Sequence, residues 1–523
     1  MGTFVKNNKI KVGYTVSFLL ACFLHLYKLA DVPYGLHVDE AGMGYDAFCL
    51  ANYGVDRYLN SFPVYLINFG RGQSALYAYI CAVFVKFFGL NAWTMRMPAA
   101  IVGILFYVVG ISLLRQRWGE KKALFPAFLM AVMPYFIMQS RFGLDCNLML
   151  GVTTIGLWLL LKAISKKKFQ WYLVAGLVWG ISFYTYAISY IFTSLYLLAM
   201  GIYLLWCKRS NWKQLLVFYF PVGLLGLPLL AMIFINTFEL PQIVLGIVTI
   251  PRLPFYAGSE FEFKHLWSGF CNAFSCILGN DTLSYNALPG FYTFYGISIP
   301  FILYGICVLI KQGIEQIRKR QFCLDTVMLI WIVVGMLILS MIKGNGVNIN
   351  KSNAIFFAIF YCLIVGIETI IDNVSYGGYK CSRWVLPTFV VAYVICAISF
   401  VTYYFLRYPS ELYPQAYFAD EYRDILDYIE TDTGEPKSVY VTSEVQPYIY
   451  YLVSAQISPY EYDMSRENAT ETYWKFLFYF PDSISPENCI YIVRETDENY
   501  ISVLEEYPFE CYSSGMYRLY YIK

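Results

Sequence analysis

The chain has 523 residues, of which 58% are hydrophobic, 19% aromatic and only 14% charged. A soluble protein of this size carries nearer a quarter charged residues, so this composition excludes a soluble globular fold. The net charge of +2 points to no particular partner, and no nucleic acid is expected. Repeated apolar runs of about twenty residues match membrane-spanning helices, and the sequence therefore predicts an all-α polytopic membrane protein.

The basic N-terminus, residues 1–11, leads into the first apolar run. No small-residue cleavage site follows this run, so we interpret it as a retained helix rather than a signal peptide. Eleven spans are predicted in all. They are 12–30, 97–114, 123–139, 147–164, 171–187, 188–206, 215–235, 292–310, 325–342, 354–371 and 385–406.

The connecting segments alternate in basic content. The short segments on one side hold twenty Lys and Arg residues, whereas the longer loops on the other side hold nine. Basic residues mark the cytoplasmic side, so the N-terminus is predicted inside and the loops 31–96 and 236–292 outside, at a bacterial plasma membrane. A span at 73–88 would invert every later loop, and we therefore predict an interfacial or re-entrant helix there.

The composition changes after residue 406, where Tyr, Glu, Asp and Ser become frequent and spanning runs end. This change predicts two domains, a transmembrane domain over 1–406 and a small extracytoplasmic α/β domain over 407–523. In the second domain, helical periodicity covers 420–430. Short strands are predicted at 438–442, 489–494 and 516–522,.

The pair Asp39-Glu40 lies just beyond the first span. Adjacent carboxylates at the mouth of a span are unfavourable and indicate a functional role. The alternative is a helix cap, with Asp39 starting a short helix over 41–48. Because the loop 31–96 is long, outward-facing and rich in Gly and aromatic residues, we favour a site.

Two further outward loops carry candidate residues. In the loop 140–148, Arg141 and Asp145 share a helical face, which allows a local ion pair,. The donor fork of Arg141 equally suits an anionic group. In the loop 343–351, Gly, Asn and Lys present donors to a phosphate or form an ordinary turn, and Lys351 is favoured over Lys343.

Several familiar motifs are absent. The sequence has no Asp-x-Asp pair for a metal-bound nucleotide sugar and no Gly-x4-Gly-Lys-Ser/Thr loop,. The histidines His37 and His265 have no partners at metal-ligand spacing, so no cofactor is expected and a divalent metal is not indicated. Outward loops without a nucleotide motif favour a sugar on a polyprenyl phosphate, for which one carboxylate base suffices.

These motifs resemble the GT-C class of membrane glycosyltransferases, in the protein O-mannosyltransferase-like branch that includes aminoarabinose transferases. The resemblance rests on Asp39-Glu40, on the Ser-Arg-aromatic-x-Leu-Asp loop at 140–145 and on the Arg-x-Pro of 96–98. Residues 70–77 depart from the His-Pro-Pro-Leu helix that is frequent in this branch. The shared layout covers roughly 15–370.

The resemblance implies transfer of a sugar from a polyprenyl-phosphate donor to a glycan, lipid or protein hydroxyl outside the membrane. Asp39 would be the general base and Glu40 would support it as a second catalytic residue. Arg141 and Lys351 would hold the donor phosphate. The candidates for positioning the substrate are His37, Arg71, Gln73 and Asp145.

Two other functions fit the composition. A lipid or small-solute transporter or flippase would show internal repeats and polar residues at mid-membrane, whereas the charges here cluster at one face. A non-catalytic assembly protein would use residues 407–523 to bind a partner, and Asp39 would then serve only as a cap.

Overall fold

The structure is a computed structural model, and a bundle of helices dominates it. It describes residues 2–256, 264, 266–278, 288, 290–343, 346–376, 382–410, 422–441, 446–485 and 487–523. The helices before residue 403 are α1 (Gly2–Leu26), α2 (Val38–Tyr53), α3 (Leu76–Phe88), α4 (Ala92–Lys122), α5 (Leu124–Val132), α6 (Pro134–Met138), α7 (Met149–Lys166), α8 (Phe169–Ser182), α9 (Ser189–Trp206), α10 (Trp212–Thr237), α11 (Leu266–Leu278), α12 (Ile299–Arg318), α13 (Leu324–Ser340), α14 (Ile349–Ser352), α15 (Phe356–Tyr376) and α16 (Ser382–Thr402).

Within the described residues, eight helical segments are long and apolar enough to cross a bilayer, and α3, α8 and α13 are shorter apolar helices. The span predicted at 123–139 is divided into α5 and α6. Met133 is extended, with φ −67° and ψ 130°, because the proline at position 134 disfavours a helical conformation in the residue before it. A continuous span there is therefore wrong.

Helix α3 has 13 residues, which is a length of about 20 Å. The hydrocarbon core of a bilayer is about 30 Å thick, so α3 is too short to cross it upright. This length favours the interfacial helix that the charge pattern predicts for residues 73–88. The sides of the membrane to which the loops face remain a prediction.

The segment between α1 and α4 forms a compact cap at one end of the bundle, which we call the site end. It consists of α2, a β-hairpin and α3. The hairpin pairs β1 (Tyr65–Asn68) with β2 (Arg71–Ser74) in antiparallel register. A second hairpin, β3 (Ile243–Leu245) and β4 (Val248–Ile250), is tied to this cap because Thr249 exchanges backbone hydrogen bonds of 3.0 Å with Val64 and Ser61.

The C-terminal residues form an α/β domain. Its helices are α17 (Tyr422–Asp432), α18 (Pro447–Ala455), α19 (Pro459–Tyr462) and α20 (Glu498–Leu504). Its strands are β5 (Ser438–Val441), β6 (Thr472–Tyr473), β7 (Phe476–Leu477), β8 (Cys489–Arg494), β9 (Glu510–Ser514) and β10 (Tyr517–Ile522). The six strands form one mixed sheet in the order β6-β7-β5-β8-β10-β9.

The three strands predicted in this domain are confirmed as β5, β8 and β10, and the predicted helix is α17. Residues 420 and 421 of that predicted helix lie outside the described residues. Strands β6 and β7 have only two residues each. An alternation of apolar and polar residues cannot be recognised over so short a stretch, so the sequence did not predict them. The fold class predicted from the sequence is therefore confirmed.

The C-terminal domain packs on the site end, against α2. The Tyr45 hydroxyl donates a hydrogen bond of 2.7 Å to the Ile457 carbonyl. In the opposite direction, the Tyr450 hydroxyl of α18 donates to the Leu36 carbonyl at 3.1 Å. These two bonds bracket α2, so the helix that carries Asp39 is held between the bundle and the C-terminal domain.

Candidate functional site

Helix α2 begins directly before Asp39 because His37 caps it. The Nδ1 atom of His37 accepts a hydrogen bond from the Asp39 backbone N–H at 3.2 Å. Asp39 and Glu40 therefore lie in the first turn, where carboxylates interact favourably with the helix dipole. The helix ends at Gly54, whose φ of 72° is the left-handed conformation common after helices,. The alternative in which Asp39 is the cap is wrong, since His37 has that place.

Burial lowers the pKa of His37, while the nearby carboxylates of Asp39 and Glu40 partly oppose this effect. The imidazole is therefore neutral near pH 7. Because its Nδ1 atom accepts a hydrogen bond, its proton lies on Nε2. His37 thus shapes the start of α2 and contributes no charge to the site; His265 lies outside the described residues.

The Asp39 carboxylate is partly accessible. Its side chain is 38% exposed, and its Oδ2 atom lies 3.7 Å from Nδ1 of His37. Its other oxygen, Oδ1, accepts a hydrogen bond of 3.0 Å from the side-chain amide of Asn68, the last residue of β1. One oxygen of a partly exposed carboxylate is therefore fixed by the protein.

The Glu40 carboxylate, by contrast, is 1% exposed and fully engaged. Oε1 accepts hydrogen bonds from Nε of Arg96 at 3.0 Å and from the Gly143 backbone N–H at 2.7 Å, and Oε2 accepts from Nη2 of Arg96 at 3.2 Å. A Cβ atom at Gly143 would lie 2.9 Å from the Met95 carbonyl, so only glycine permits this approach. The Glu40 carboxylate therefore holds Arg96 and the Gly143 loop in place, and its predicted catalytic role stays a prediction.

Arg96 is the residue that sequence reasoning placed only as the start of a span. Besides Glu40, its guanidinium donates to the backbone carbonyls of Leu29, Ala30, Pro33 and Gly35. A guanidinium with these partners fixes the whole segment between α1 and α2. A buried charge is stable only with such partners. An isolated arginine in an apolar part of the sequence therefore indicates a cluster of hydrogen bonds around it, and this signal could have identified Arg96.

Arg141 has a comparable structural role. Its side chain is fully buried, and its three nitrogens donate to the carbonyls of Leu24, Tyr27, Lys28 and Val32. The ring of Phe405 stacks on the guanidinium at 4.7 Å. The donors bind carbonyls at and after the end of α1, and the Phe405 ring lies just after α16, so Arg141 joins these two segments. Its predicted binding of the donor phosphate stays a prediction.

Asp145 lies on the inner side of the same region. Its Oδ2 atom accepts the Ser74 backbone N–H at 3.2 Å and Oδ1 accepts the Cys146 N–H at 2.8 Å. It does not pair with Arg141, as the helical spacing allowed. Its charge interacts with that of Asp39, so the structure brings these two predicted site residues together at the site end.

The two predicted residues of β2 differ in exposure. Gln73 is buried, and in the described structure its Oε1 atom has no hydrogen-bond partner. Arg71 is exposed, stacks on Phe255 at 5.5 Å, and faces Asn68 across the hairpin. Gln73 therefore offers an acceptor in the interior of the cap and Arg71 offers a cation at its edge.

Lys351 lies in the short helix α14, where Asn348 caps the Lys351 N–H at 3.0 Å. Its side chain is half-buried, whereas Lys343 is exposed. The segment is joined to the Asp145 loop because the Asn353 amide donates to the Cys146 carbonyl at 2.7 Å. All three loops selected from the sequence therefore meet, through Ser74–Asp145 and Asn353–Cys146.

Known proteins match this chain in part of its sequence and in its fold. Residues 73–235 match the family model described as dolichyl-phosphate-mannose-protein mannosyltransferase. Two Bacillus subtilis (strain 168) proteins whose names give mannosyltransferase as a provisional activity share shorter stretches. YkcB is 31% identical over 98 residues and YycA 25% over 105. These stretches cover 19% and 20% of this chain, but only 14% and 15% of the two relatives.

Among solved structures, ArnT from Cupriavidus metallidurans resembles the whole chain. Its apo form aligns with a TM-score of 0.57 and 12% identity over 98% of both chains. Its form bound to undecaprenyl phosphate aligns with a TM-score of 0.56 and 12% identity, over 98% of this chain and 97% of ArnT. The chain therefore has a fold like that of ArnT over almost its whole length, and residues 73–235 match a mannosyltransferase family model, as the resemblance predicts.

Proposed function

We propose that this protein transfers a sugar from a polyprenyl-phosphate carrier to a hydroxyl group of a glycan, lipid or protein on the extracytoplasmic face of the membrane. The fold and the mannosyltransferase-family segment support this function. The solved complex of ArnT with undecaprenyl phosphate supports a carrier of that chemical class. In this proposal the N-terminus is cytoplasmic and the C-terminal domain is extracytoplasmic.

The observation that carries the proposal is the contrast among the acids of the site end. Glu40 is locked by Arg96, and both oxygens of Asp145 accept backbone N–H groups. Asp39 alone of these three is partly exposed, and the Asn68 amide holds one of its oxygens. A general base needs a defined position and access to the substrate, and Asp39 meets both requirements.

The proposed reaction is a single displacement. Oδ2 of Asp39 accepts the proton of the acceptor hydroxyl as its oxygen forms a bond to the anomeric carbon of the sugar. The bond between that carbon and the phosphate oxygen breaks, and polyprenyl phosphate leaves with the electron pair. Because a phosphate ester is a weak base, its departure needs no proton donor. The displacement inverts the anomeric centre.

Lys351 is the proposed contact of the donor phosphate, since an ammonium group binds a phosphate as a point charge. Arg71 lies beside Asn68 at the exposed edge of the hairpin and is proposed to orient the sugar or the acceptor. Gln73 and Asp145 offer acceptors deeper in the cap. His37 holds the backbone of Asp39 in place.

The test uses purified full-length protein in lipid nanodiscs with undecaprenyl-phosphate mannose that carries a radiolabelled sugar. Release of undecaprenyl phosphate and transfer of label to an acceptor or to water are followed together. We expect Asp39→Asn to reduce the rate by about 10²–10⁴-fold. Asp482→Asn, an exposed acid in the C-terminal domain, is the matched control and should keep the full rate.

Two outcomes would contradict the proposal. If Asp39→Asn turns over at the wild-type rate, Asp39 is not the base. If labelled undecaprenyl phosphate crosses the bilayer of proteoliposomes while no lipid-linked sugar tested is cleaved, the protein is a flippase.

A further inference from the structure

A continuous chain of hydrogen bonds runs from the interior of the cap to Asp39. The Asp46 carboxylate accepts from Nε and Nη2 of Arg57 at 3.0 and 2.7 Å. Nη2 of Arg57 also donates to Oδ1 of Asn68 at 3.2 Å. The amide nitrogen of Asn68 then donates to Oδ1 of Asp39 at 3.0 Å.

The orientation of the Asn68 amide follows from its neighbours. Arg57 can only donate hydrogen bonds, so the atom of Asn68 that faces it must be the oxygen. The amide nitrogen therefore faces Asp39, whose ionised carboxylate can only accept. The guanidinium thus determines that Asp39 receives a donor rather than a second acceptor.

The chain is buried along most of its length. Asp46 and Arg57 are 0% exposed, and Asn68 is 7% exposed. The Phe69 ring covers the guanidinium at 5.6 Å, and Tyr448 of α18 packs edge-on against that ring at 6.4 Å. Because water cannot reach these groups freely, each hydrogen bond is a stronger restraint than it would be at the surface.

The backbone of α2 is shaped to admit these groups. A Cβ atom at Gly42 would lie 2.8 Å from both Nη2 of Arg57 and Oδ1 of Asn68. The helix that carries Asp39 therefore has a glycine where the guanidinium and the amide meet. This close approach brings the side chain of Asn68 within reach of Asp39 from the neighbouring strand.

We propose that Arg57 and Asn68 are positioning residues for the general base: Arg57 orients the Asn68 amide, and the amide fixes Oδ1 of Asp39 so that Oδ2 faces the acceptor hydroxyl. This inference rests on the proposed function, in which Asp39 takes the proton. A hydrogen bond donated to a carboxylate also stabilises its ionised form, which is the form that acts as a base. Arg57 and Asn68 touch no reacting atom.

A purely structural role would also explain why Arg57 and Asn68 are buried. The dependence of kcat on pH distinguishes this role from the positioning role. Within the described part of the chain, the titratable groups that interact with Asp39 include His37, Asp145, Cys146 and Tyr450. Burial lowers the pKa of His37 and raises the pKa of Tyr450 well above its usual range, so neither changes charge near pH 7. Asp145 is the remaining carboxylate, and an Asp145→Asn background removes it from the measurement.

The decisive variant is Asn68→Asp, which keeps the size of the side chain and the acceptor for Arg57 but replaces the donor to Asp39 with a second carboxylate. Like charges disfavour ionisation. We expect the acid limb of the kcat profile for undecaprenyl-phosphate mannose to move up by about one pH unit, with KM changed less than about twofold. The shift should persist in the Asp145→Asn background.

Asn52→Asp is the matched control, since Asn52 is an exposed asparagine on α2 bound to Lys86. Its profile should be that of the wild type. Arg57→Lys keeps the charge but loses the planar fork, and we expect kcat to fall about tenfold. The exposed Arg252, paired with Glu239, provides Arg252→Lys as the conservative control without effect.

An unshifted profile for Asn68→Asp, together with an inactive Asp39→Asn, overturns the positioning role and leaves the proposed function intact. An active Asp39→Asn overturns the proposed function itself. If Asn68→Asp does not fold, Asn68→Ala replaces it: a rate loss that recovers as the pH is raised supports the proposal, and a loss independent of pH contradicts it.

Discussion

Asp39 and Glu40 are neighbours in the chain but lie in surroundings of opposite character. The buried Glu40 carboxylate accepts hydrogen bonds from Arg96 and from the Gly143 N–H. Asp39, by contrast, lies half-exposed beside Asn68. Successive residues of a helix point about 100° apart, so the first turn of α2 directs one acid to the interior and one outward. Adjacent carboxylates of one helix turn can therefore differ completely in burial and in partners, and the proposed function gives a chemical role only to the exposed one.

The largest expected effect tests the buried side of this comparison. Arg96→Met leaves the Glu40 carboxylate buried without its cation, and removing one partner of a buried pair costs about 3–5 kcal/mol. We expect a low yield of folded protein and a strongly lowered thermal midpoint, measured by fluorescence-detected size-exclusion chromatography after heating. Asp39→Asn should change stability by less than about 1 kcal/mol; equal destabilisation by the two variants would remove the distinction.

A substitution at Arg141 is a second test of how buried charges stabilise the fold. Arg141→Lys cannot reach all the carbonyls that the guanidinium binds, so we expect a loss of about 2 kcal/mol in stability. The affinity of the folded fraction for undecaprenyl phosphate should stay within about twofold of the wild type. A selective loss of that affinity without destabilisation would support the role in phosphate binding that the resemblance implies.

A substitution at Lys351 tests the proposed contact with the donor phosphate. Lys351→Met should weaken binding of undecaprenyl phosphate about tenfold at low salt, and less at high salt, because a phosphate contact of this kind is screened by ions. Microscale thermophoresis in nanodiscs measures the affinity. The exposed Lys343, in the same loop, supplies Lys343→Met as the control. Equal effects of both substitutions would indicate a diffuse electrostatic contribution instead of a defined contact.

The smallest expected effect on stability concerns Asp56, which lies after α2 and directly before Arg57 in the sequence. Burial and the neighbouring Asp46 raise the pKa of Asp56 to about 7. Its folded pKa is above the unfolded value, so its contribution to stability is full below about pH 4 and is lost as the pH rises through about 7. Asp56→Asn should therefore reduce the drop in thermal midpoint between pH 5 and pH 8 by about 2–4 °C. An unchanged drop would assign the pH dependence to other groups.

The sequence predicted the positions of the helices well because apolar runs of membrane length leave few alternatives. It failed at 123–139, where Pro134 breaks a run whose composition alone looks continuous. It selected the loops of Asp39, Asp145 and Lys351, which the fold joins at the site end; the roles of these side chains stay predictions.

The roles of individual charges were harder to predict. Arg141 and Glu40 carry the residue types of a phosphate site and of a catalytic acid, but only the fold shows that their partners are carbonyls and Arg96. Arg57 and Asn68 were missed because they lie 18 and 29 residues from Asp39 in the sequence, and no spacing rule connects them. The ion pair of Arg57 with Asp46, its hydrogen bond to Asn68 and the close approach at Gly42 bring them to the same place.

The two bonds between α2 and the C-terminal domain span 412 and 414 residues of sequence. Helix α2 is therefore synthesised long before its partners Tyr450 and Ile457. A chain that stops before the C-terminal domain lacks these residues and also Tyr448, whose ring packs on Phe69. The packing around α2 is thus finished only after the C-terminal domain has been synthesised.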